Sequence, residues 1–281
     1  MTTLAPPPVT ERDAWIARQR WALEDGLVVA RRNLSHVRQV PEKLFDVTLQ
    51  PVMFVVLFTY VFGSAITIPG GGSYRDFLLP GIFVQIMVFS SAGSAIAIAD
   101  DLSKGVIDRF RALPMARSAV LTGRSLADLA TMLIALVVLT VSGLVVGWRI
   151  HDGIVSALGA YLLLLGFGFA MIWVGTLIGT VMGDPEAAQQ VVFTVAFPLT
   201  FVANTFVPTN GMPAWLRLVA EWNPLSAVVA GVRDLFGAPG LATGQSWPLR
   251  HPLLASTMWI VGIIVVVVPI AVRRYRVNVS G

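Results

Sequence analysis

The sequence predicts an all-α membrane protein, and three observations carry that expectation. Of its 281 residues 56% are hydrophobic and 13% charged, at a mean hydropathy of +0.75, whereas a soluble domain carries roughly a quarter charged residues. Several charge-free runs match the ~20 residues of helix that cross the hydrocarbon core, where every backbone polar group must be satisfied internally. The basic residues stand at the ends of these runs and form no basic domain, so the formal net charge of +4 does not point to nucleic acid.

The first 48 residues read as cytosolic. They open on Ala5-Pro6-Pro7-Pro8, and no apolar stretch precedes Leu44, so nothing there resembles a signal peptide. Leu23, Leu27, Ala30, Leu34 and Val37 recur at helical spacing, with Arg31, Arg32, Arg38 and Lys43 off that stripe. Such a basic amphipathic helix lies at the bilayer interface with its cations on lipid head groups. Six spans are expected over residues 49–272: Leu49–Ile68, Phe77–Ala99, Leu126–Gly147, Ile154–Met182, Val191–Val207 and Leu253–Val272. Pro198 implies a kink in the fifth.

Six spans place both termini on one side, and the positive-inside rule chooses it. With the termini inside, the inner face holds Arg12, Arg18, Arg20, Arg31, Arg32, Arg38, Lys43, Lys104, Arg109, Arg111, Arg117, Arg124, Arg273, Arg274 and Arg276. The outer face holds only Arg75, Arg149, Arg217, Arg233 and Arg250. The expectation is a multi-pass plasma (inner) membrane protein with a short cytosolic tail over 273–281.

Two connections carry pattern of their own. In the loop after the second span (about 100–117), Leu102, Val106, Phe110 and Leu113 form an apolar stripe beside Lys104, Asp108, Arg109 and Arg111. Pro114 ends that helix near Leu113. A short amphipathic helix on the cytosolic face suits docking into a groove of a soluble partner. On the outer side (about 213–237), Trp215–Trp222 suggests one short helix. Asn223-Pro224 then supplies an N-cap and a first-turn proline for a second, ending at Gly237. Both are too short to span; they re-enter the membrane or lie on it with Trp215, Trp222 and Trp247 at head-group depth.

Much chemistry is excluded. Without cysteine there is no disulfide, iron–sulfur cluster or thiolate zinc site. No phosphate-cradling G-x-x-x-x-G-K-[ST] motif occurs, so ATP binding is not expected of this chain. His36, His151 and His251 are widely separated and suggest no metal site. The spans hold almost no ionisable groups apart from Asp128, which can snorkel or pair with Arg124. Ion-driven carriers keep carboxylates at mid-membrane, so any energy source lies elsewhere. Gln85, Asn204 and Thr205 could line a route for an amphipathic substrate, as could Ser90, Ser91 and Ser94, although helix–helix hydrogen bonds also explain the serines. Gly143–Gly147 and Gly175–Gly179 are pairs that let helices approach closely. A passive channel would need sustained polar stripes, and a scaffold leaves the striped loop unexplained.

Three stretches in order then resemble the membrane subunit of type-2 ABC exporters, particularly daunorubicin/doxorubicin-resistance-type permeases. They are Leu79-Pro80-Gly81-Ile82; Asp101, Gly105, Asp108-Arg109-Phe110-Arg111 and Leu113-Pro114-Met115 with Gly123-Arg124 and Leu126-Ala127-Asp128; and Asn223-Pro224-Leu225-Ser226 with Arg233-Asp234-Leu235-Phe236. The resemblance implies an N-terminal elbow helix over Gly26–Lys43 and a coupling helix that docks on a separate ATP-binding subunit. It assigns coupling contacts to Asp101, Leu102, Val106, Asp108, Arg109, Phe110, Arg111 and Leu113, with Asp184 and Glu186 of the Gly183–Ala187 turn as a second contact. It also implies two ATPase copies that carry the ATP and magnesium, and a second permease copy, identical or related. The cargo would be a hydrophobic or amphipathic drug, an antibiotic or a lipid-like compound; family members also export lipids and polysaccharides.

Overall fold

The computed structural model describes residues 49, 51–63, 68, 73–104, 117–238, 244 and 246–280, with side chains for all but 62, 117–127 and 276–280. The secondary structure among the described residues is helical, with no strand. In chain order they form α1 (Pro51–Val61), α2 (Tyr74–Ser103), α3 (Arg117–Val146), α4 (Gly153–Met182), α5 (Pro185–Val202), α6 (Ala214–Trp222), α7 (Pro224–Leu235), α8 (Trp247–Arg250) and α9 (Pro252–Ser280). A π turn over Phe58–Phe62 closes α1. Among these, α2, the Asp128–Val146 part of α3, α4 and the Pro252–Tyr275 part of α9 are long and apolar enough to cross a membrane. They coincide with the second, third, fourth and sixth expected spans. The helix expected over 24–43 lies outside the described residues.

α2 is the centre of the bundle. Phe77, Leu78, Leu79, Ile82, Phe83, Val84 and Met87 are fully buried on it, and it packs on α4, α5 and α7 while α4 also carries α9. Hydrophobic burial does not drive helices together inside lipid; close packing does. The Gly175–Gly179 pair provides it: a Cβ on Gly175 would strike the carbonyl of Ser91, and one on Gly179 the carbonyl of Ala95. The two backbones therefore touch where glycine alone fits. Gly143 instead packs on Leu79 and Trp148, and Gly147 turns the chain at φ +99°.

At the end of the bundle where α2 begins, Phe83, Trp148, Tyr161 and Phe236 form an aromatic knot with ring centroids 5.0–6.3 Å apart. The Tyr161 hydroxyl shares a 2.7 Å hydrogen bond with Thr140 Oγ1, and His151 N donates to Phe236 O at 2.9 Å. At the opposite end Ile98, Trp173, Ala271 and Tyr275 pack together, which brings the ends of α2 and α9 and the α4–α5 turn to one side.

Local chemistry explains the helix limits. Asn223 caps α7 by accepting from Leu225 N at 2.9 Å, with Pro224 in the first turn. Its Nδ2 donates to Leu199 O at 2.7 Å, satisfying a carbonyl near the end of α5. α5 differs from the expected fifth span at both ends. It starts at Pro185, not Val191, because Asp184 accepts from Ala187 N at 2.8 Å and Pro185 opens the helix. It stops at Val202, not Val207: Ala203 is extended, and tertiary contacts capture the carbonyls that follow.

Candidate functional site

Two constructions stand out among the described residues. The first is a cavity of about 410 Å³ between α1, α2, α3 and α5, within the range of small-molecule sites, which are mostly apolar with a few placed polar groups. Phe54, Phe89, Phe193 and Phe197 provide aromatic walls, with the Phe89 and Phe193 rings 5.3 Å apart. Gln85, Ser90, Asp128 and Thr131 supply polar groups to the lining. Asp128 is held in place across helices, its Oδ2 accepting from Ser94 Oγ at 2.7 Å. Ser90 and Ser91 instead donate to their own helix, to Met87 O at 2.7 Å and Val88 O at 2.6 Å. Phe193 and Phe197 are also part-exposed on the flank of the bundle.

The second is a junction around Arg233, which the sequence suggests is an outer-face cation but which is 0% exposed. Its Nε donates to Phe77 O at 2.9 Å, and Nη2 to Asn204 O at 2.8 Å and Thr205 O at 3.3 Å. The guanidinium lies 3.7 Å from the centre of the Phe77 ring, a cation–π arrangement. Tyr74 OH donates to Phe206 O at 3.3 Å and Asn204 N to Ser226 Oγ at 3.0 Å. One side chain thus joins the start of α2, the α5–α6 connection and α7. Burial pushes the Arg233 pKa down to about 9, with Tyr74 and Asp234 opposing, so it stays a cation at neutral pH. Arg233 Nη1, both polar atoms of the Asn204 side chain and Thr205 Oγ1 are buried without a hydrogen-bond partner among the described residues.

The sequence-derived residues distribute over three places. Gln85 lines the cavity, whereas Asn204 and Thr205 belong to the Arg233 junction. Asp101 and Leu102 lie in the last turn of α2. Asp184 and Glu186 are exposed at the start of α5, at the same end of the bundle. Val106, Asp108, Arg109, Phe110, Arg111 and Leu113 lie outside the described residues. Sequence reasoning placed Arg233 on the outer face and so missed its buried role, and it also missed Phe54, Phe89, Phe193 and Phe197; the local signal for Arg233 was a charged Arg233-Asp234 pair ending the apolar run Ala227–Val232.

Comparison with known proteins adds relatives to this geometry. Residues 26–236 match the family model of the ABC-2 type transporter. The chain is 33% identical over 245 residues to a daunorubicin resistance ABC transporter permease protein of Streptomyces coeruleorubidus, covering 87% of this chain and 83% of the relative. It is 27% identical over 259 residues to a doxorubicin resistance ABC transporter permease protein of Mycobacterium tuberculosis, covering 85% and 89%. A putative transport permease of Cyanophora paradoxa is 24% identical over 220 residues, covering 76% and 74%.

Proposed function

The chain belongs to the ABC-2 type transporter family, and from that membership we propose that it is the permease subunit of an ATP-driven exporter of a hydrophobic or amphipathic compound. The observation that carries the cargo class is the cavity: about 410 Å³ lined by aromatic rings from α1, α2 and α5 together with Gln85, Ser90, Asp128 and Thr131. A drug-like or lipid-like molecule with an apolar body and a few polar groups fits that lining.

In this reading the chain carries no ATP chemistry. A separate ATP-binding subunit, in two copies, holds ATP and magnesium and docks on the 100–117 loop, with Asp184 and Glu186 as a second contact. A second permease copy completes the pathway. The expected first and fifth spans, Leu49–Ile68 and Val191–Val207, which include α1 and most of α5, join the four long helices to make six spans in the inner membrane, with both termini cytoplasmic; the basic residues of 12–43, 104–124 and 273–276 support that orientation. Closure of the ATPase dimer moves the coupling loop, and rigid-body rocking of the helices switches access to the cavity.

The test is ATP hydrolysis by the ATP-binding subunit in nanodiscs with and without this chain. Stable association, with hydrolysis that changes when amphipathic compounds are added, is the expected result. Association with no ATPase, or cargo flux that needs no ATP, refutes the exporter reading in favour of a passive channel or scaffold.

A further inference from the structure

The Arg233 junction is a cation whose hydrogen bonds all go to neutral acceptors. Its hydrogen-bond acceptors are main-chain oxygens of Phe77, Asn204 and Thr205, and the neighbouring Asp234 acts on it only through its charge. The same two residues that give their carbonyls to the guanidinium, Asn204 and Thr205, keep their own side-chain polar atoms buried and idle, and the guanidinium keeps one idle amino group. A buried polar group without a partner is destabilising, and each such group in a native structure needs a reason. Here the idle groups are complementary. Nη1 is a donor, Asn204 Oδ1 and Thr205 Oγ1 are acceptors, and Asn204 Nδ2 is a donor for a carbonyl that the guanidinium would release.

The surrounding backbone suits a rearrangement. Residues 203–207 are non-helical, between a helix containing Pro198 and Pro208. They are held from outside, by Arg233, by Ser226 Oγ on Asn204 N and by Tyr74 on Phe206 O. Packed junctions of this kind switch between discrete arrangements; they do not deform continuously.

We propose that this junction has two hydrogen-bonded arrangements. In the described one Arg233 donates to the main-chain oxygens of Asn204 and Thr205; in the second it donates to their side-chain oxygens. Arg233 is then a positioning residue that sets the α5–α6 connection and α7 against α2 in each half of the transport cycle. The inference rests on the exporter reading for its biological consequence, though not for its structural content. Asn204 and Thr205 contribute little to the described arrangement through their side chains and are needed for the other.

The test is the double variant Asn204→Leu/Thr205→Val, which keeps shape and removes the idle groups, in complex with the ATP-binding subunit in nanodiscs. The expected result is a melting temperature equal to or above wild type, an unchanged KM for a transported dye, and a transport kcat lower by about tenfold, the factor for one hydrogen bond to a charged group. Wild-type kcat overturns the proposal, since the groups are then idle throughout the cycle. A lower melting temperature also overturns it, since an ordered water then satisfies them in the described arrangement. A wild-type complex that moves no cargo refutes the exporter reading instead. Hydrogen exchange over 203–207, with and without nucleotide, then tests the junction alone: nucleotide-dependent exchange that the double variant lacks is expected, and identical exchange in both overturns the two arrangements.

Discussion

Gly175→Ala adds one methyl at the point where α4 meets α2, and the structure fixes what it encounters. The nearest atoms are the carbonyl oxygen of Ser91, its carbon at 2.9 Å and the Ser91 Cα at 3.1 Å. All belong to the backbone of α2, so no side-chain rotation relieves the contact. The helices must separate by a few tenths of an ångström to about 1 Å, and Gly179 on Ala95, one turn on, loses contact with them. Overpacking of this kind costs on the order of 1–3 kcal/mol, offset by up to about 1 kcal/mol from replacing glycine within a helix. A matched control lies on the same helix. At Gly166 a Cβ would sit 3.9 Å from Ile260, an ordinary contact, so Gly166→Ala retains the helix gain and adds packing. Thermal unfolding in detergent micelles should therefore place Gly175→Ala below wild type and Gly166→Ala at or above it. Equal melting temperatures for the two variants would refute the argument that backbone contact between α2 and α4 limits residue size at position 175.

Three further outcomes follow from the proposed function. Gly93 lines the cavity and has no atom within 4 Å of where a Cβ would sit, so Gly93→Phe should fill part of it; cargo-dependent stimulation of ATP hydrolysis should fall severalfold while the melting temperature holds, and unchanged stimulation would place the cargo elsewhere. Phe110→Asp should leave membrane insertion intact and abolish pull-down of the ATP-binding subunit, because a carboxylate replaces the apolar face offered to its groove; normal pull-down with normal transport removes the 100–117 loop from that role. The chain lacks cysteine, so single cysteines report topology: Trp215→Cys, exposed on α6, should react with an impermeant maleimide in sealed cells, and Glu186→Cys only after permeabilisation. The reverse pattern inverts the orientation.

The parts of the fold that were legible in the sequence were local ones. Asn223-Pro224 and Gly237 bound α7 as their chemistry dictates, since a cap and a left-handed C-terminal glycine, here at φ +79°, act within a few residues. The four long helices were legible because an uninterrupted apolar run of that length has few other fates in a bilayer. The limits of α5 were not. Asp184 starts it earlier than the apolar run suggests, and its end depends on the capture of the Asn204 and Thr205 carbonyls by a residue in α7.

Composition and charge order determined that this is a helical membrane protein, and motif order pointed to its family, because lipid imposes length and polarity on each segment separately. Which glycines meet which carbonyls, which phenylalanines wall one cavity and where Arg233 lies were decided by tertiary structure alone. Each of those depends on groups far apart in the chain: Gly175 on Ser91, Phe54 in one cavity with Phe193, Arg233 on Phe77 and Asn204. A cation at position 233 reads as solvent-facing until three carbonyls from other segments, and the ring of Phe77, take the place of water around it.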